Sequence, residues 1–227
     1  MDGRIRHRLL LDWIRACAIG LSVGAAQAQS SSNPNLNAQL LVAARENDLA
    51  RVGQLLDQGA VPDSRNRLGK SALLLACEKG DLALAEVMLT HGADIRLASV
   101  EGVTPLIAAS YAGNAALVRR LLAAGARTDA RDRMSKPAMV YAAGQGHAAV
   151  VAALLDAGVD IDTTYDHGLT ALMWAAGQGH AEVVSLLLAR AARTELRDDR
   201  GMTALDIART TDHREAADAL MRPRPAK

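Results

Sequence analysis

The chain has 227 residues, with 26 Lys+Arg against 25 Asp+Glu and a formal charge of +1, so its electrostatics carry no footprint for nucleic acid or a membrane surface. Half of the residues are apolar, yet Phe is absent and the rings are two Trp and three Tyr, so any core must be built from small aliphatic side chains in thin layers. That apolar fraction excludes disorder for most of the chain.

In chain order, Arg4, Arg6, Arg8 and Arg15 come first, then the weakly hydrophobic run Ala16 to Ala26, then Ala26-Gln27-Ala28 as a small-x-small cleavage site. This order predicts a secretory signal cut between Ala28 and Gln29, and residence in the periplasm or outside the cell. The run is too short to span a bilayer, which needs about 20 residues, so no membrane anchor is expected. Asp12 and Arg15 interrupt the apolar segment, and the alternative is an amphipathic helix that stays attached to a cytoplasmic protein. Cys17 lacks a lipidation context, because Arg15 stands where small residues are needed. With residues 1–28 removed, Cys77 alone remains, which forbids an intramolecular disulfide and suits an oxidising compartment. Residues 29–35 and 223–227 carry no apolar payload and read as flexible ends.

Everything between follows a 33-residue period. Gly69, Gly102, Ser135, Gly168 and Gly201 share one register, and Leu56, Leu89, Leu122, Leu155, Leu188 and Met221 a second. Ala76, Ala109, Ala142, Ala175 and Ala208 give a third, and Gly80, Gly113, Gly146 and Gly179 a fourth. The signals within a unit predict a short helix, a tight turn, a longer helix and an extended loop. In the third unit Thr104 is an N-cap, Pro105 fits the first helical turn, Gly113 breaks the helix, and Leu117, Val118, Leu121 and Leu122 form the stripe of a second one. Gly125 then supplies a left-handed stop, as do Gly59, Gly92 and Gly158, whereas Ala191 departs and predicts a looser helix end.

Thr104-Pro105-Leu106-Ile107-Ala108-Ala109 resembles the ankyrin repeat signature, with Thr170-Ala171-Leu172 and Thr203-Ala204-Leu205 as weaker copies. Gly179-His180, Val183-Val184, Leu187-Leu188 and Gly92-Ala93-Asp94 resemble its continuation. The resemblance covers residues 36–222, about six units with polar terminal caps, and implies an all-α solenoid of stacked helix-turn-helix units with projecting β-turn loops. The signature His is replaced by Leu74, Ile107, Val140, Met173 or Asp206, so its hydrogen bonds are expected to be absent. The fourth unit departs further, with Ser135 for Gly and Pro137 for Thr.

No catalytic, cofactor or metal site is expected. His147, His180 and His213 recur at the period, but stacked units place equivalent positions about 8–10 Å apart, whereas a shared zinc needs nitrogens near 2 Å. They read as turn and cap residues. Cys77 sits in an apolar segment as a small core residue, and Asp160, Asp162 and Asp166 lack the spacing of a calcium loop.

The rings are the informative constellation. Tyr141 and Trp174 fall at one equivalent position of the first helix, Tyr111 lies one turn along the same face, and Tyr165 falls in a projecting loop. All four are expected on the concave side, as binding anchors or as ordinary packing between helices. The loop tips add Arg67, Leu68 and Lys70, then Arg133, Met134 and Lys136, then His167, Leu169, Arg200 and Met202. The apolar members Leu68, Met134, Leu169 and Met202 either offer a surface for a partner or fold back on their neighbours. These features describe a monomeric, non-catalytic scaffold that binds another protein through its groove and loop tips. Resemblance to exported bacterial ankyrin proteins implies support of a stress-defence enzyme such as catalase. The alternatives are immunity against a secreted toxin and an effector delivered to another cell.

Overall fold

A computed structural model describes residues 34–222, so the expected signal with its cleavage site, the segment 29–33 and the tail 223–227 lie outside the described residues. Twelve α-helices form six antiparallel pairs among the described residues: α1 Pro34–Glu46 with α2 Leu49–Asp57, α3 Ala72–Lys79 with α4 Leu82–Thr90, α5 Pro105–Ala112 with α6 Ala115–Ala123, α7 Ala138–Gly144 with α8 Ala148–Asp156, α9 Ala171–Gly177 with α10 Ala181–Ala189, and α11 Ala204–Thr210 with α12 Arg214–Met221. Pro34 and Asn35, expected in a flexible segment, belong to α1, where a proline at the first position costs no hydrogen bond. No described helix is long and apolar enough to cross a membrane.

First helices pack on neighbouring first helices, and second helices on second helices. The alanines Ala76, Ala109, Ala142, Ala175 and Ala208 are fully buried, which lets the first layer close up without a side chain in the way. In the Leu-Leu pairs the earlier member is the more deeply buried: Leu55, Leu121, Leu154 and Leu187, with Met88 at the same register, are fully buried, while Leu89, Leu122, Leu155 and Leu188 are only partly covered and Leu56 alone of the later members joins the core. Each fully buried side chain contributes about 1.5–3 kcal/mol, so the stack is held by many equal increments between neighbours.

Local chemistry sets the ends. Thr104 Oγ1 accepts from Ile107 N at 3.3 Å, and Gly113 ends α5 at φ +79°. Pro137, standing where Ser71, Thr104, Thr170 and Thr203 cap the other units, leaves α7 without a side-chain cap. The expected loosening at Ala191 does not occur. Ala191 adopts φ +66° and keeps the same closure as the glycines, donating to Leu188 O at 3.0 Å while Ala192 donates to Leu187 O at 3.0 Å. Burial of Ala192 holds the turn and imposes the strained geometry on its neighbour. The signature-His bonds are not wholly lost either, because Asp206 accepts from Thr203 N at 3.0 Å and from its hydroxyl at 2.7 Å.

Between pairs the chain projects as short turns organised by one residue per unit. Asn66, Asp132 and Asp198 each accept two backbone amides of their own turn, Ser99 accepts one, and Tyr165 stands at this register in the fourth turn. Burial of the Asp198 carboxylate would raise its pKa, but the Met202 and Arg200 amides and the Arg200 guanidinium prevail and hold it below the ordinary aspartate value. Neighbouring turns are tied by Val100 N to Leu68 O at 2.9 Å, Arg133 N to Glu101 O at 2.9 Å and Asp199 N to His167 O at 3.0 Å. The equivalent tie from Asp166 N to Met134 O is not made. Ser135, at φ +58°, holds the place of glycines whose added Cβ would press on the next turn, 2.8 Å from Val100 N at Gly69 and 3.1 Å from Asp132 Cα at Gly102.

Candidate binding groove

Tyr141 on α7 and Trp174 on α9 occupy one register of consecutive first helices, and Tyr111 closes α5 one turn further along. The Tyr111 and Tyr141 rings meet edge to face, 5.8 Å apart at 77°. The Tyr141 hydroxyl donates to the Asp132 carboxylate, the same group that organises the third turn. Burial, then the hydrogen bond with Asp132, pushes that hydroxyl above the ordinary tyrosine pKa. Lys136 Nζ lies 4.9 Å from the Trp174 ring centroid and 5.9 Å from that of Tyr141. Gly144, Gln145 and Gln178 complete a cavity of about 180 Å³ around these groups. Three of the four expected rings, with the expected Lys136, thus form one contiguous surface shared by first helices and turns. Tyr111 is 54 % exposed on it.

The fourth ring stands apart. Tyr165 is half-buried against the core, with the Arg131 guanidinium 5.8 Å from its centroid, and burial pushes its hydroxyl up to about 12 despite the opposing Arg131 charge. Among the apolar tips, Leu68 and Met134 are 61 % and 57 % exposed. Leu169 and Met202 instead fold back on the core cluster, so an exposed apolar tip is not what they offer. Of the charged tips, Arg133 pairs with Glu101 at 3.4 Å and Arg200 with Asp198 at 2.7 Å, while His167 lies 4.0 Å from Asp199. Larger cavities, of about 280 to 590 Å³, lie beside Arg127, Arg120 and Val42 and hold no aromatic side chain.

The histidine column does structural work. His147 Nε2 bonds Tyr111 O at 2.9 Å and His180 Nε2 bonds Gly144 O at 2.9 Å, each ring reaching into the preceding unit over Gly113 or Gly146. Asn114, at the same register, does this through Nδ2 to Gly80 O. Among the described residues no three His, Cys, Asp or Glu side chains are placed to share a metal ion. The Asp162 carboxylate is engaged by Arg193, through its amide at 2.8 Å and its Nε at 3.0 Å. The Cys77 thiol is fully buried, and burial raises its pKa, which removes nucleophilic character. Sequence reasoning missed Asp132, Gly144, Gln145 and Gln178. The clue for Asp132 was its shared register with Asn66 and Asp198.

Stacked helix pairs with tied projecting turns and a ring-lined flank define a repeat scaffold. The family model for ankyrin repeats matches residues 40–132 and 134–226, and the chain belongs to that family. A solved structure, the crystal structure of EF0377, an ankyrin repeat protein, is similar at 29 % identity and a TM-score of 0.73, covering 81 % of this chain and 96 % of that one. Among curated proteins none matches the chain. Ankyrin repeats imply a protein–protein interaction scaffold, in a family that is generally non-catalytic.

Proposed function

We propose that this protein is an exported, monomeric, non-catalytic scaffold that grips a protein partner along the flank shared by first helices and turns. Tyr111, Tyr141 and Trp174 are its anchors, and Leu68, Arg133, Met134 and Lys136 set specificity at the tips. The observation that carries the reading is the contact of Tyr111, Tyr141, Lys136 and Trp174 in one surface of a chain otherwise poor in rings. Ring anchors of this kind contribute about 2 kcal/mol or more each when seated in a partner. Crosslinked capture from a cell-envelope extract should therefore recover one partner at least tenfold less with Trp174→Ala plus Tyr141→Ala. Equal recovery by both proteins refutes the reading. Export is tested separately by mass spectrometry: a mature chain beginning at Gln29 supports it, and an intact Met1 overturns it. The role of the complex follows from deletion of the gene. A partner such as catalase that loses activity indicates assistance to a stress-defence enzyme, and a partner that becomes toxic indicates immunity.

A further inference from the structure

The repeat provides an internal comparison. Lys70 and Lys136 stand at the same register two units apart, and so do Glu78 and Gly144. In the earlier unit Lys70 Nζ pairs with Glu78 at 2.7 Å. In the later one the position of the carboxylate is a glycine. Lys136 there makes no ion pair among the described residues and lies over the Trp174 and Tyr141 rings at the cavity that Gly144, Gln145 and Gln178 help to line. Asp132, the carboxylate of its own turn, is engaged by the Tyr141 hydroxyl and the Met134 and Lys136 amides.

We infer that this pocket receives a carboxylate from the partner protein, an Asp or Glu side chain taking the place that Glu78 holds against Lys70. The inference rests on the groove reading above and names the chemistry of its occupant. The surrounding charge agrees. The tips of the first three turns, residues 65–70, 98–103 and 131–136, carry Arg65, Arg67, Lys70, Arg131, Arg133 and Lys136 against Glu101 and Asp132, although over residues 34–222 acidic residues outnumber basic ones by 23 to 20. A cationic edge on an otherwise acidic body steers an acidic segment toward the rings. The amides of Gln145 and Gln178 add donors at the cavity wall.

The structure supplies its own blocking variant. Gly144 has no positive φ, and a Cβ there would meet only Trp174 Cε3, at 3.8 Å, so Gly144→Glu recreates the Lys70–Glu78 pair within the chain. A random 12-residue phage-displayed peptide library is panned on the immobilised full-length protein, and affinities of the selected peptides are measured by fluorescence anisotropy. The selected peptides should share a carboxylate at one fixed position. Its replacement by the amide, Lys136→Met and Gly144→Glu should each weaken binding about tenfold, with the thermal midpoint of Gly144→Glu no lower than that of the parent. If amide replacement and both variants leave affinity unchanged while Trp174→Ala and Tyr141→Ala lower it, the carboxylate pocket is refuted and the groove survives. If no peptide is selected, or binding is indifferent to Trp174 and Tyr141, both fall.

Discussion

Gly146 and Gly158 have nearly the same backbone geometry, φ +80° and +89°, but different surroundings, and replacing each by alanine separates strain from packing. At Gly158 no atom lies within 4 Å of an added Cβ. The cost there is the left-handed conformation, about 1–2 kcal/mol, less the 0.5–1 kcal/mol or so by which alanine lowers the entropy of the unfolded chain. A net loss of about 1 kcal/mol follows, and Ala191, one unit on, shows that the fold tolerates it. At Gly146 the added Cβ would sit 2.6 Å from His180 Nδ1 and 2.9 Å from its Cγ and Cε1. The imidazole must move and release Gly144 O, adding about 1 kcal/mol for the hydrogen bond and about 1 kcal/mol for repacking. Gly146→Ala should therefore cost about 3 kcal/mol in urea unfolding followed by far-ultraviolet dichroism, with hydrogen exchange localising the loss to the fourth and fifth units. Adding His180→Ala to Gly146→Ala removes the clash, so a double-mutant cycle should show a coupling of about 2 kcal/mol. Equal costs at the two glycines, or no coupling with His180, would refute the claim that histidine rings bind consecutive units through the glycine turns.

Ala191→Gly relieves the observed positive φ and should raise the urea midpoint by the equivalent of about 0.5–1 kcal/mol, which equilibrium denaturation checks. Asp198→Ala leaves the Arg200 and Met202 amides without their acceptor and should cost about 2 kcal/mol. Because the Asp198 pKa is lowered in the folded chain, its stabilisation is present above the ordinary aspartate value and lost as pH falls through the lower folded one, so the variant should flatten the acid limb of stability against pH. Tyr165 has the opposite sign. Its folded pKa of about 12 exceeds the ordinary value of 10.0, so its contribution is intact below about pH 10 and lost as pH rises toward 12, and Tyr165→Phe should remove that alkaline decline in a urea-midpoint series.

Much of this architecture can be read from one line of text because each unit repeats the same local physics. Thr104, Pro105 and Gly113 act as cap, first-turn residue and terminator in the structure as their chemistry requires. The aromatic cluster was legible for the same reason: residues 33 apart share a face, so Tyr141 and Trp174 had to be neighbours. What periodicity does not carry is the direction of a long side chain. His147 and His180 serve as ties rather than cap acceptors because their rings reach a carbonyl of the previous unit, a contact between registers. Leu169 and Met202 pack against the core cluster, whereas Leu68 and Met134 stay exposed. At Ala191 residue identity predicted fraying, and the burial of its neighbour overrode it.

The tie missing between Met134 and Asp166 gives the protein two stiff rails instead of one. The first three turns are locked into a bar by amide–carbonyl rungs and the last two into another, with helix packing and side-chain contacts such as Arg131 against the Tyr165 ring bridging the gap between them. Because Lys136 sits on the edge of the first bar and Trp174 follows the second, their contact crosses the one seam that no backbone rung closes.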